Sequence, residues 1–209
     1  MKIAIIGSGN VGTALARASK EAGYEVTVAG RSPEQLATVS NEFAVHTTTS
    51  NEEAVRDADV VVLALPFGVA QKVAQDLLDE LREVIVIDVA NPMKEDLSGL
   101  ATEGTSSAEL TQDVLPQARV VKAFNTVLAA NQASPVVAGE QLDGFVAGDD
   151  VDAKKWVMRF LEEIGYRPVD VGPLQAARYL EGMAFLNIAL NARNNWSWQS
   201  GWKLVGPLS

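Results

Sequence analysis

Short runs rich in valine and isoleucine alternate with segments of helical period along the whole chain, and no other feature limits the fold as tightly. The runs at 3–6, 25–29, 44–47, 60–65, 84–90, 120–124, 145–147 and 168–171 read as strands. VVVLAL and VIVIDVA are apolar on both faces, which suits central parallel strands covered by helices on each side. The helix starts carry local signatures: Ser32-Pro33-Glu34-Gln35, Ser50-Asn51-Glu52-Glu53 and Ser106-Ser107-Ala108-Glu109 each match a capping box, the first with proline at N1. After Phe67, Val69, Val73, Leu77 and Leu81 recur four apart, which predicts one buried stripe. Alternation from the first residue predicts an α/β fold, a doubly wound and mostly parallel Rossmann sheet. With no repeat, low-complexity stretch or linker, residues 1–209 are expected to form a single domain. The one break falls near Gly172-Pro173; beyond it 174–194 read as one long helix, so 173–209 form a C-terminal helical segment.

Composition narrows the chemistry. The 209 residues hold no cysteine and one histidine, which removes disulfides, thiolate metal sites and thiol nucleophiles and leaves little basis for Ser-His-Asp or multi-histidine chemistry. An enzyme built this way is expected to rely on an organic cofactor. The net charge is -10, and its distribution is uneven: residues 1–150 carry 22 acidic and 10 basic side chains, residues 151–209 carry 5 and 7. An acid excess argues against nucleic-acid binding. No segment approaches the roughly 18–20 apolar residues of a membrane span, so a soluble, cytoplasmic protein without membrane partners is expected. Trp196, Trp198 and Trp202 fall within seven residues; packing on the parent domain or a homodimer contact would cover them.

Gly7-Ser8-Gly9-Asn10-Val11-Gly12 is a GxGxxG placed directly after the first strand and opening a helix over 13–22. The first glycine makes the tight turn, the second admits a pyrophosphate, and the third allows close helix packing. The second strand ends Val28-Ala29-Gly30-Arg31-Ser32, without the carboxylate that an NAD ribose site is expected to show. Arg31 can hold a 2'-phosphate instead, which favours NADP(H). Ser32 suits an N-cap as well as a phosphate contact. Further strand ends at Leu65-Pro66-Phe67, Ala90-Asn91-Pro92-Met93 and Asn125-Thr126-Val127 are apolar or neutral, with amides able to bind a carboxamide and no evident proton donor. Carbonyl or imine reduction ordinarily calls for a general acid, whereas hydride exchange between two rings needs chiefly alignment. Lys122 is the one ionisable group nearby; its direction is open, with a structural or solvated role expected. His46 is expected to be a polar surface residue.

The segments GSGNVG, AGRS, LALPF, DVANPM, VVKAFNT, VAGDD and VDVGPLQAARYLE together resemble the NADP oxidoreductases that act with the deazaflavin coenzyme F420. They are also similar to the NADPH-binding domain of the six-transmembrane ferric reductases. The resemblance runs to about Glu181. It implies contacts from Ser8, Gly9, Asn10 and Val11 to the NADP phosphates and ribose, and from Arg31 to the 2'-phosphate. It also implies cofactor contacts from Leu65, Pro66 and Phe67, and a place near the nicotinamide for Asn125 and Ala129. Relatives carry serine at Gly30, lysine at Gln35 and histidine at Asn125 in some cases. The function implied is hydride exchange between NADP(H) and F420, FMN or FAD with no side-chain acid or base. The alternatives are an NADPH-dependent reductase of a small carbonyl, imine or quinone, and a non-catalytic NADP-sensing module.

Overall fold

The computed structural model describes residues 1–206, so the last three residues of the expected C-terminal segment lie outside the described residues. The parallel strands are β1 (Lys2–Ile6), β2 (Glu25–Ala29), β3 (His46–Thr48), β4 (Val60–Leu63), β5 (Ile85–Asp88) and β6 (Arg119–Lys122). A short ribbon, β7 (Val136–Val137) with β8 (Glu140–Gln141), precedes β9 (Asp143–Gly148) and β10 (Arg167–Asp170). The main sheet runs β10-β9-β6-β5-β4-β1-β2-β3. Its first six strands are mutually parallel, and β9 joins β6 antiparallel through Val121↔Gly148 and Lys122↔Ala147. The expected doubly wound, mostly parallel sheet is present.

The helices are α1 (Asn10–Glu21), α2 (Pro33–Phe43), α3 (Asn51–Val55), α4 (Val69–Asp76), α5 (Ser107–Val114), α6 (Val151–Glu163) and α7 (Ala177–Asn194). Strand alternation divides the core into two layers. Ile3, Ile5, Val26, Val28, Val60 and Val62 pack on one face with residues of α1, α2 and α6. Ala4, Ile6, Val61, Leu63, Val86 and Val120 pack on the other with α3, α4 and α5. Both faces are dry because both are covered, which is why the central strands carry no polar alternation.

Several boundaries differ from the sequence expectation for local reasons. Strand β5 stops at Asp88 because its Oδ1 accepts from the Ala90 amide at 3.0 Å and turns the backbone off the ladder. Beyond β6, Phe124 adopts φ +65, a left-handed conformation that no strand continues through. The expected stripe on α4 fails at Val69 and holds only in part at Val73, which packs at the edge of the core. Ala70, Ala74, Leu77 and Leu81 are buried, whereas Val69 is 44% exposed and Val73 half-buried. Ala70 and Ala74 lie in the core layer on this face of the sheet, and Val69 and Val73 line a cleft. Residues 174–176 form a separate 3-10 turn before α7, and α1 begins at Asn10, earlier than expected. His46 is exposed on β3, as expected of a polar surface residue in the third strand.

All three serine caps form: Ser32, Ser50 and Ser106 accept from the amides of Gln35, Glu53 and Glu109. In two of them the return side chain goes elsewhere, Gln35 to Ser8 and Glu53 to Thr48. Glu109 does contact Ser106 Oγ at 2.8 Å and also takes both arms of Arg178, at 2.8 and 2.6 Å, joining α5 to α7. Partial burial pushes the Glu109 carboxyl up, but the bonds from Arg178 and Ser106 outweigh it and hold the group below its ordinary 4.5. A depressed folded value stabilises above the ordinary value and is lost as pH falls through it. Arg178→Gln is therefore expected to lower the melting temperature by roughly 2–4 °C at pH 7, about 1 kcal/mol for a bidentate but partly solvated pair. The gap between variant and wild type should close in melts recorded as the pH falls through the depressed Glu109 value; a gap that persists in acid assigns the loss to packing.

The C-terminal segment is anchored by polar contacts. Asn131 donates to the carbonyls of Gln199 and Ser200, and Asn191 reaches Ser200 Oγ at 2.6 Å. Trp202 packs beside Phe145 and Leu180, while Trp196 and Trp198 stay 48% and 44% exposed. Among the described residues no helix is long and apolar enough to cross a membrane.

Candidate functional site

The sheet reverses direction of growth between β1 and β4, and a doubly wound fold binds its ligand outside the carboxyl ends of the strands at that point. Gly7 leaves β1 there, its amide held by the Ala29 carbonyl at 2.8 Å and its φ at +120. A Cβ on Gly7 would lie 2.2 Å from the Ala64 carbonyl oxygen, and one on Gly12 would lie 1.9 Å from the Gly7 carbonyl oxygen. These two glycines serve the packing of β1, β4 and α1. Gly9 differs, since nothing lies within 4 Å of its would-be Cβ. The space above Gly9 opens at the N-terminus of α1, which has no side-chain cap and no acidic residue in its first turn. Unpaired amides and the helix dipole favour an anion at such a place.

A cleft of about 380 Å³ extends from Gly7, Ser8 and Gly9 past Gly30, Arg31 and Ser32 to Leu65 and Pro66, with Val69 and Val73 as its apolar wall. Arg31 is exposed and forms no ion pair among the described residues. Among the described residues no carboxylate lines this cleft, although residues 1–150 are strongly acidic overall. Ser32 caps α2 through its contact with the Gln35 amide at 3.3 Å while also lining the cleft. Gln35 and Asn51 line it too; both sit at helix starts after strands, a signal that capping patterns alone did not turn into a site. A Cβ at Gly30 would lie 2.4 Å from Ser8 Oγ and 2.9 Å from Ser8 Cβ, so a serine there requires the glycine loop at Ser8 to shift and not only its side chain to rotate.

A second cavity of about 580 Å³ begins at the same Ser8 and Gly9 and runs between α1 and α2, with Asn10 and Ala129 on its walls. Val11 is half-buried against the core and Gly12 is buried. Phe67 is half-buried and, like Asn91 and Asn125, lines neither cavity. The two asparagines instead clasp each other: Asn91 Nδ2 donates to the Asn125 carbonyl at 2.9 Å, and Asn125 Nδ2 donates to Asn91 Oδ1 at 3.0 Å. Asn125 Oδ1 is buried without a partner, an unused acceptor at the end of β6.

Lys122 points inward. It is fully buried, and its ammonium group donates to Asp88 Oδ1 at 2.8 Å, to Glu181 Oε1 at 2.7 Å and to the Ala90 carbonyl. Three acceptors use all three of its protons. Burial pushes the Glu181 carboxyl up, opposed by the neighbouring Lys122. Asp88 and Glu181 escaped the reading of the sequence because each is a lone acid within an apolar segment; only the fold brings them to Lys122. Tyr24 bonds Glu163, with its phenol pushed up to about 12 chiefly by burial, and burial likewise raises Tyr166, which bonds Gln132. Neither lines the cleft.

Comparison with known proteins agrees with this geometry. Residues 2–92, from β1 to the loop after β5, match the family model described as NADP oxidoreductase, coenzyme F420-dependent. The F420-dependent NADP reductase of Methanothermobacter thermautotrophicus is 31% identical over 212 aligned residues, covering 93% of this chain and 90% of that protein. The metalloreductase STEAP3 of Rattus norvegicus is 32% identical over 183 residues, 87% of this chain; the chain spans only 36% of that longer relative. A solved structure from Arthrobacter sp. FB24, provisionally described as an F420-dependent NADP reductase, superposes with a TM-score of 0.86 at 27% identity, covering 99% of this chain and all of that one. Identity of this order over nine-tenths of both sequences, on a sheet whose glycine loop stands at its switch point, settles the assignment: the chain belongs to the family of coenzyme F420-dependent NADP oxidoreductases and is an NADP-dependent oxidoreductase.

Proposed function

We propose that this chain passes a hydride between NADP(H) and a flavin or deazaflavin of the F420 type, bound side by side at the carboxyl ends of the parallel strands. The observation that carries the reading is the spent state of Lys122: the ionisable groups at the ends of β5 and β6 are buried, closed on one another and absent from the lining of both cavities. A carbonyl or imine reductase needs a donor there, whereas transfer between two conjugated rings needs alignment.

The residues fit a dinucleotide phosphate. Gly9 leaves room for the diphosphate over the α1 amides, Arg31 offers charge-assisted hydrogen bonds to a 2'-phosphate, and Leu65, Pro66, Val69 and Val73 supply an apolar wall for the adenine half. When bound, NADPH supplies the hydride and the flavin or deazaflavin ring takes it up. Ala90, Asn91 and Asn125 follow the ends of β5 and β6 behind the cleft lining, where Asn125 Oδ1 is a buried acceptor that a carboxamide would reach only if the Asn91–Asn125 clasp opened. Purified protein mixed with NADPH and, separately, F420, FMN, FAD or riboflavin should oxidise NADPH, followed at 340 nm, with at least one acceptor well above the uncatalysed rate. No acceleration with any of them would sink the reading.

A further inference from the structure

One hydrogen-bond network, buried at its centre and reaching the surface at Gly68, ties together the loops that follow β4, β5 and β6. Gln71 on α4 accepts from the Gly68 amide at 2.7 Å and donates to Ser107 Oγ and Thr111 Oγ1, both at 3.1 Å. Those hydroxyls donate to Asp88 Oδ2 at 3.0 and 2.8 Å. Asp88 Oδ1 accepts from the Ala90 amide and from Lys122, and Lys122 holds the Ala90 carbonyl and Glu181. Glu181 Oε1 accepts from the Ser107 amide at 2.9 Å, which closes the circuit onto α5 and α7.

Such a cluster is a costly way to fill a core. Well-packed apolar residues often stabilise as much as a buried ion pair or more, and here Glu181 Oε2 has no partner at all. An apolar filling would leave one thing undone. It would not grip both backbone groups of Ala90, whose amide is held by Asp88 and whose carbonyl is held by Lys122. Ala90 is followed directly by Asn91, which clasps Asn125 at the end of β6.

We propose that Lys122 is a positioning residue for the hydride transfer: without touching either ring, it fixes the backbone of Ala90 and through it the Asn91–Asn125 clasp that follows the ends of β5 and β6. The proposal rests on the reading above that the nicotinamide and its acceptor meet over β5 and β6. Misplacement of reacting groups by about 1 Å is enough to lose up to about a hundredfold in rate.

Lys122→Met keeps the length and removes the three donors. The expected result is a kcat, normalised to NADPH-binding sites, that falls roughly ten- to a hundredfold, with the NADPH dissociation constant unchanged within about twofold, because the glycine loop and Arg31 are remote from the change. The primary isotope effect on kcat with NADPH deuterated at C4 should rise as the transfer step becomes limiting. A role in folding alone would reduce the number of binding sites and leave the rate per site and the isotope effect where they were. Should Lys122→Met fail to fold, Asn91→Ala breaks the far end of the same chain of contacts and is expected to show the same pattern. An unchanged rate per site in the Lys122 variant, or in the Asn91 variant if the first does not fold, overturns the inference. Absence of turnover by the wild-type chain with every acceptor removes the underlying reading instead, so the two failures are distinguishable.

Discussion

Gly12→Ala should both destabilise the fold and remove NADPH binding. Its Cβ would lie 1.9 Å from the Gly7 carbonyl oxygen and 3.3 Å from the Ala64 side chain, and the first of these is backbone that has no alternative rotamer. Overpacking of this kind costs roughly 1–3 kcal/mol and sometimes more, offset by about 1 kcal/mol of better helix propensity. A net loss of about 2 kcal/mol corresponds to a fall of roughly 4–8 °C in the melting temperature of a chain this long. Relief of the clash moves the Gly7–Gly9 loop, and with it the amides expected to hold the diphosphate. Gly9→Ala provides the contrast. Its Cβ meets nothing within 4 Å, so stability should fall by no more than about 1 kcal/mol, the difference between glycine and alanine at an N-cap. The methyl group nevertheless occupies the space over the helix N-terminus, and NADPH affinity measured by titration should drop sharply. Loss of stability without loss of binding at Gly9 would show that the open space serves no ligand.

Arg31→Ala should separate the two nicotinamide dinucleotides. Charge-assisted hydrogen bonds contribute about 1.5–3 kcal/mol, so the Michaelis constant for NADPH is expected to rise about ten- to a hundredfold. NADH, which has no 2'-phosphate, should shift by less than about threefold on the same argument. Because Arg31 is exposed, the wild-type preference for NADPH should also shrink as salt is raised, since the Debye length falls from about 10 Å at 0.1 M to 3 Å at 1 M. Steady-state kinetics with both cofactors at two salt concentrations tests this, and equal losses for NADPH and NADH would remove the assigned role.

The acid excess of residues 1–150 gives these predictions their context. A broadly basic surface is absent there, and the cleft keeps acids out, with Arg31 as the only charged side chain on its lining among the described residues. Electrostatic selection of a phosphate then falls to one guanidinium and the amides of α1.

Much of the fold was legible because its signals are local. Valine and isoleucine runs mark buried strands wherever they occur, the Ser-x-x-Glu/Gln pattern places a hydroxyl beside an N3 amide within four residues, and a glycine between strand and helix declares a turn that side chains would obstruct. Three of the predicted helix starts thus carry the expected serine caps. The half-wrong stripe on α4 shows where local reasoning ends. Alanines at 70 and 74 are in the core while Val69 and Val73 line the cleft, a choice set by the way the helix is rotated on the sheet and not by hydrophobicity.

The same division holds at the site. The order of glycines after β1 and the absence of an acid after β2 were determined by the sequence alone, since a phosphate loop and a ribose-binding residue lie within one βαβ unit and depend on close neighbours. The direction of Lys122, the pairing of Asp88 and Glu181 with it, and the clasp of Asn91 with Asn125 were decided only by the tertiary structure. Their members stand 34 to 93 residues apart in the chain, and a lone charge in an apolar segment does not name its partner. Burial makes such a partner obligatory, because an unpaired charge away from water is too costly to keep, but only the packing of β5, β6, α5 and α7 determines which one it finds.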